Sequence, residues 1–370
     1  MTAISILKRN ANDLFGGIFP AKDIDSHLMA AANWLRRAQD QGNDDGVSYG
    51  YSLKGGWRDS YVETSGYIAT TFFTLANRLG DDDFRQRAIR IADWLCSVQN
   101  HDGSFSNNRF SGEQGIVFDT GQDLFGLVRA WRETGNDRYH TAAIRAGDWL
   151  VKVADDRGIW TRNTFNSIPH VYNSRTAWAL LQLFEVTENT EYRRIACANL
   201  DWAVENESNG YFRNCAFEKD QHPYTHNIAY AIRGLLESGY LIDVAKYREI
   251  AQKAATAMLD HVDTNGFIPG QIDDRGNARA GYCCLTGNAQ MSIIWLKLYR
   301  DSGDTRYLEA ARRATRYVMT RQDLATDDPD IHGAISGSYP IWGKYSPLTY
   351  PNWPAKFFVD ALMHLKDATE

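Results

Sequence analysis

Across residues 117–160 (VFDTGQDLFGLVRAWRETGNDRYHTAAIRAGDWLVKVADDRGIW), apolar positions fall into two successive stripes at helical spacing. Leu124, Phe125, Leu127, Val128 and Trp131 form the first. They predict a helix opening at Asp119, a residue able to cap the free N–H groups of a first turn. It should stop at Thr134-Gly135-Asn136, where glycine accepts the left-handed conformation of a helix C-terminus. Tyr139, Ala143, Ala146, Trp149, Leu150 and Val153 form the second stripe, ending at the turn Asp155-Asp156-Arg157-Gly158. The unit is a helical hairpin.

The hairpin recurs. Helix starts of the first kind stand at Thr64, Asp119, Asn173, Thr225, Thr286 and Asn352, at steps of 55, 54, 52, 61 and 66 residues. Every one is Thr, Asp or Asn, so each reads as a side-chain cap. The second helix also returns six times, from HLMAAANWLRRAQDQ to YLEAARRATRYVMTRQ. A period of this length marks a repeat architecture. The expectation is all-α: six hairpins closed into a ring, one domain over residues 1–370, with residues 1–21 as a lead-in. Helices of the first kind are apolar on most faces and belong inside; the others are amphipathic and belong outside. Three connections are long, residues 42–61, 269–282 and 323–351, and the last carries Trp342, Tyr345 and Tyr350.

Composition excludes more than it selects. A net charge of −6 with no basic run argues against a nucleic-acid or anionic-membrane surface. No apolar run could span a bilayer, and the first residues lack the apolar stretch of a secretion signal. Five cysteines at Cys96, Cys197, Cys215, Cys283 and Cys284 have no framework spacing, which favours a reduced, cytoplasmic protein.

A ring places all six inner-helix N-termini at one mouth, where their N–H groups and partial positive charge suit oxygen-rich ligands. The residues delivered there are polar and aromatic. Trp57, Arg58, Asp59 and Glu63 come first, followed by Asp119, Gln122 and Asp123, then His170, Tyr172 and Arg175. Later repeats bring Tyr224, His226 and Asn227, then Tyr282 and Asn288, then Trp342, Tyr345, Trp353 and Lys356. Aromatic platforms beside planar hydrogen-bonding groups suit a sugar ring, with its apolar faces and hydroxyl rim.

This hairpin ring with a polar mouth resembles the six-hairpin glycosidases, the (α/α)6 toroids of many glycoside hydrolases, polysaccharide lyases and sugar epimerases. Residues 283–299 (CCLTGNAQMSIIWLKLY) and 333–363 (GAISGSYPIWGKYSPLTYPNWPAKFFVDALM) more narrowly resemble the VpsJ-like proteins of bacterial exopolysaccharide biosynthesis. The resemblance implies work on a polysaccharide or oligosaccharide without naming the reaction.

Three readings of the candidates follow. Glu63, Asp119 and Asp123 supply the carboxylate pair of a glycoside hydrolase, although Asp119 is equally a plain helix cap. Tyr224 and His226 supply instead the proton transfer of a lyase or epimerase, unless His226 is only a satisfied surface histidine. A non-catalytic glycan-binding toroid needs the aromatics and no carboxylate pair. Arg175 and Lys356, cations on otherwise apolar helices, suggest a uronate-bearing sugar. Zinc on Cys283, Cys284 and His226 is disfavoured, because adjacent cysteines point to different sides of a turn. No cofactor or metal is expected.

Overall fold

The structure, a computed structural model, describes residues 13–14, 16–106, 112 and 114–370. Most of the expected lead-in, residues 1–12 and 15, lies outside the described residues. Outer helices are α1 (Ile24–Gln39), α3 (Asp82–Val98), α5 (Asp137–Val153), α7 (Thr190–Glu205), α9 (Ala245–Ala257) and α11 (Thr305–Met319). Inner helices are α2 (Val62–Leu79), α4 (Val117–Thr134), α6 (Ser174–Thr187), α8 (Thr225–Leu241), α10 (Leu285–Ser302) and α12 (Asn352–Thr369).

Each inner helix packs on the next, α12 packs back on α2, and each outer helix backs the inner helix before it. The exception to chain order is α1, which backs α12, so the two ends of the described chain close the ring together. The result is an (α/α)6 toroid. Its inner helices are buried on nearly all faces because they touch both ring neighbours and an outer helix.

Local chemistry explains the hairpin turns. Gly80, Gly135 and Gly303 take φ of 65°, 68° and 70° as left-handed caps of α2, α4 and α10. The next outer helix is then capped by a side chain: Asp81, Asn136 and Asp304 each accept from a backbone N–H two residues on.

The inner starts differ from expectation. Helix α4 begins at Val117 with Ile116 at the cap position, and α2 begins at Val62 behind Tyr61; neither cap residue makes a side-chain bond. Thr64, Asp119 and Thr286 therefore lie inside the first turn, and Thr225 and Asn352 are first helical residues. Asn173 does stand at a cap position but makes no cap bond. The polar series that looked like caps is a layer of side chains at the helix mouths.

The long connections carry short strands that tie the mouth together. Strand β1 (Gly50–Ser52) pairs antiparallel with β2 (Gly56–Trp57) and with β7 (Thr349–Pro351), in register Tyr51 with Tyr350. A hairpin of β3 (Glu207–Ser208) and β4 (Tyr211–Phe212) follows α7. Strand β5 (Cys283–Cys284) pairs with β6 (Ser338–Tyr339). The last connection thus binds both the first and the fifth mouth loops.

Candidate active site

The site rises from the first turns of α2, α4, α8 and α12. Tyr61 precedes α2, and its hydroxyl donates to Oε2 of Glu63 at 2.8 Å, fixing that carboxyl at the mouth. Asp119 is the third residue of α4 and is 3% exposed. His226, Asn227 and Tyr230 come from α8, and Trp353 from α12. Trp353 donates from its indole to the Tyr345 hydroxyl at 2.7 Å, which locks the last loop over the cavity. Tyr49 stands edge-on to Trp353 and to Tyr61, with centroids 4.9 and 5.1 Å away.

Together with Ile116, Phe118, Phe165, Tyr172 and Phe217, these groups enclose a cavity of about 200 Å³. Ligand sites for drug-sized molecules hold roughly 300–1,000 Å³, so this one suits a single ring. Two carboxylates, Glu63 and Asp119, reach it from neighbouring helices.

Burial sets the protonation of the site. Glu63 is pushed up to about 7 by loss of water, against the opposing pull of the Tyr61 hydroxyl and the Arg175 cation. It can therefore hold or release a proton near neutrality. Asp123 is raised well above the usual carboxylate range by burial and by the charges of Asp119 and Glu63. His226 is pressed down to about 3 by burial, so its ring is neutral, and neither ring nitrogen has a hydrogen-bond partner.

Several expected residues lie elsewhere. Asp123 is wholly buried at the crossing of α2 and α4, where a β-carbon on Gly66 would stand 2.7 Å from its Oδ1; it is a packing carboxyl, not part of the cavity wall. Gln122 is buried too and accepts from Nε of Arg175 at 2.6 Å. Arg175 and Lys356 point below the cavity floor, because the aromatic layer Tyr67, Tyr230 and Phe357 comes between. His170 stacks on Tyr172 and has both nitrogens on carbonyls, those of Ala216 and Phe165 at 3.0 and 2.7 Å, so it is a structural strut. Asn288 donates to the Gly266 carbonyl at 2.7 Å and accepts from the Cys283 thiol at 3.1 Å.

Tyr224 stacks near His226 but does not line the cavity. Tyr282 hydrogen-bonds Gln271 at 3.2 Å, and Trp342 is 42% exposed outside it. Trp57, Arg58 and Asp59 line an adjoining open groove that shares Tyr49 and Tyr61 with the cavity. Among the described residues no group of three or more His, Cys, Asp or Glu could hold a metal ion.

Tyr49, Tyr61, Phe118, Phe165, Phe217, Tyr230 and Ser346 also line the cavity, and sequence reasoning missed them. For Tyr49, Tyr61, Phe165 and Phe217 the signal was the surplus of aromatics in the connections, which gives no means of choosing among them; Phe118 and Tyr230 lie within α4 and α8 and read as core.

No family model and no curated protein matches the chain. Solved structures do. An unsaturated glucuronyl hydrolase from Bacillus sp. GL1 aligns over 93% of this chain and 97% of its own, at 18% identity and a TM-score of 0.73. A D-mannose isomerase aligns over 94% and 99%, at 12% identity and a TM-score of 0.71. A cellobiose 2-epimerase from Bacillus thermoamylovorans aligns over 97% and 99%, at 13% identity and a TM-score of 0.70. At these identities the likeness is one of fold.

Proposed function

We propose that the protein is a carbohydrate-active enzyme, a glycoside hydrolase acting on an oligosaccharide or polysaccharide intermediate. The observation that carries this reading is the meeting of Glu63 and Asp119 in one aromatic-walled cavity, with Glu63 poised near neutrality. In this reading Glu63 protonates the leaving oxygen. The Asp119 carboxylate activates water, or meets the cationic ring, on the other side. Trp353, Tyr172 and Tyr345 offer faces to the sugar, and Asn227 offers a side-chain N–H with no partner in the protein. Support also comes from the fold neighbours, a glycan hydrolase and two sugar-converting enzymes. The VpsJ-like segments favour a glycan of exopolysaccharide synthesis.

Among the described residues no Lys or Arg lines the cavity. Arg175 and Lys356, from which a uronate preference was expected, are therefore not in position to meet a sugar carboxylate inside the cavity. A carboxylate elsewhere on the glycan would meet Arg58, whose guanidinium lies 5.8 Å from the Tyr49 ring.

The test is Glu63→Gln and Asp119→Asn, which keep shape. Each should lower kcat/KM on a cleaved glycan by about 10²–10⁴-fold while glycan binding persists. Near-normal turnover by both variants would sink the hydrolase reading.

One observation favours a second reading. His226 faces the cavity with neither ring nitrogen partnered, which leaves both open to a substrate in the proton transfer of epimerisation or isomerisation. His226→Ala would then abolish turnover, and the carboxylate changes would be milder.

A further inference from the structure

The opposite end of the toroid holds a second chamber of about 290 Å³ below the aromatic floor. Six cations line it: Arg78, Arg129, Arg132, Arg175, Arg233 and Lys356. Among the described residues two carboxylates do, Asp360 and Asp367.

Ion pairs account for part of this charge. Arg78 pairs with Asp367, Arg129 with Glu133 at 2.8 Å, Arg132 with Glu185 at 2.9 Å, and Lys356 with Asp360 at 2.5 Å. Glu237 is shared between Arg233 at 3.2 Å and Lys297 at 3.1 Å. Among the described residues no carboxylate pairs with Arg175. Its guanidinium sits 5.0–5.8 Å from the rings of Phe125, Tyr230, Trp178, Phe357 and Tyr67.

Three of these cations are nearly out of water, with Arg175 2%, Lys356 3% and Arg233 8% exposed. They also feel one another: Arg233 and Arg175 both oppose the charge on Lys356, and Arg233 opposes that on Arg175. Nη1 of Arg175 and Nη1 of Arg233 are buried with no hydrogen-bond partner in the protein. Burying like charges together with unused donors is costly unless a counter-charge joins them. A planar fork of N–H donors is the usual partner of an oxyanion.

We propose that this chamber binds a phosphate-class oxyanion, inorganic phosphate or the phosphate ester of a sugar, between Arg175, Arg233 and Lys356. The ligand is distinct from the glycan of the mouth, so the site stands or falls separately from the reaction proposed there. Arg175 touches both levels: it holds Gln122 by Nε and weighs on the charge of Glu63, so an anion on it would be felt at the mouth.

The experiment is calorimetric titration of the full chain with inorganic phosphate, then with glucose 6-phosphate, in physiological salt. Saturable one-to-one binding is expected, weakened about 10-fold or more in Arg233→Gln, the usual worth of a charged hydrogen bond. Arg129→Gln is the second variant. Both should stay folded, because Glu237 keeps Lys297 and Glu133 keeps Arg85 at 3.0 Å. Tighter binding of the ester would identify it as the source, and equal or weaker binding would identify free phosphate. Absence of saturable binding, or equal affinity in wild type and both variants, overturns the proposal. So does an affinity that changes in Asp119→Asn and not in Arg233→Gln, since the anion would then lie in the upper cavity.

Discussion

At the scale of the residue, Glu63 decides most. Its folded value of about 7 stands above the ordinary 4.5 because burial disfavours the charged form. Folding therefore favours the proton. The stability that this group contributes is complete below pH 4.5, fades as pH rises through 7, and is absent above that. Glu63→Gln removes the dependence, since the amide is always neutral. The melting temperature of the variant should match wild type near about pH 5 and exceed it near about pH 8, by the equivalent of ~1–3 kcal/mol. A constant difference across that range would mean that Glu63 is not the buried acid described here. Glu63 and Asp119 could be picked out in the sequence because they are polar groups in the first turns of inner helices, at the height of the mouth. Arg175 and Lys356 could not be placed, because a start position fixes height along the axis and not the side to which a long side chain bends. Asp123 was misjudged for a related reason: one turn further down, a side chain meets the neighbouring helix and not the cavity.

At the scale of the element, the crossing of α2 and α4 is a tight constraint. A β-carbon on Gly66 would stand 2.4 Å from the Asp123 Cα, and one on Gly126 would stand 2.6 Å from the Gly66 carbonyl oxygen. Both obstacles are backbone, so the helices would have to part. Gly66→Ala should lower stability by about 3 kcal/mol or more, at the upper end of overpacking costs. Gly80→Ala makes a useful contrast, because that position has φ of 65° and open space around it. Its cost should be only ~1 kcal/mol, from the left-handed backbone alone. Urea midpoints of the two variants check this, and a milder effect at Gly66 would show that the helices can slide apart. The helices themselves were legible because their apolar period is unbroken over two turns or more. The short strands were not, since they are only two or three residues long, and pairings such as Cys283 with Tyr339 and Tyr51 with Tyr350 join distant parts of the chain and leave no local pattern. The misread caps have a physical origin as well. Thr, Asp and Asn favour helix starts whether they cap or line a mouth, and composition cannot separate the two uses.

At the scale of the whole molecule, the ring differs from an open stack of hairpins in having no free end. Closure is made by several contacts between distant parts of the chain besides the packing of α12 on α2. Helix α1 backs α12, β1 pairs with β7, and the His27 ring nitrogen meets the Gln322 side chain at 2.5 Å inside the buried seam. The backbone N–H of Asn352 adds a bond of 2.9 Å to the Tyr49 carbonyl. We propose that residues 1–370 are therefore one folding unit. In an open repeat array each hairpin contacts only its neighbours, so removing the last one leaves the others folded. In a closed ring, deleting residues 349–370 takes away β7 and α12 together. That exposes the inner faces of α2 and α10 and strips the backing from α1. The intact chain should melt in one cooperative transition followed by helix dichroism. The truncated chain should be insoluble or should melt without a cooperative step. A truncated chain that keeps a sharp transition, with helix content reduced only in proportion to the residues removed, would show that the hairpins stand without closure.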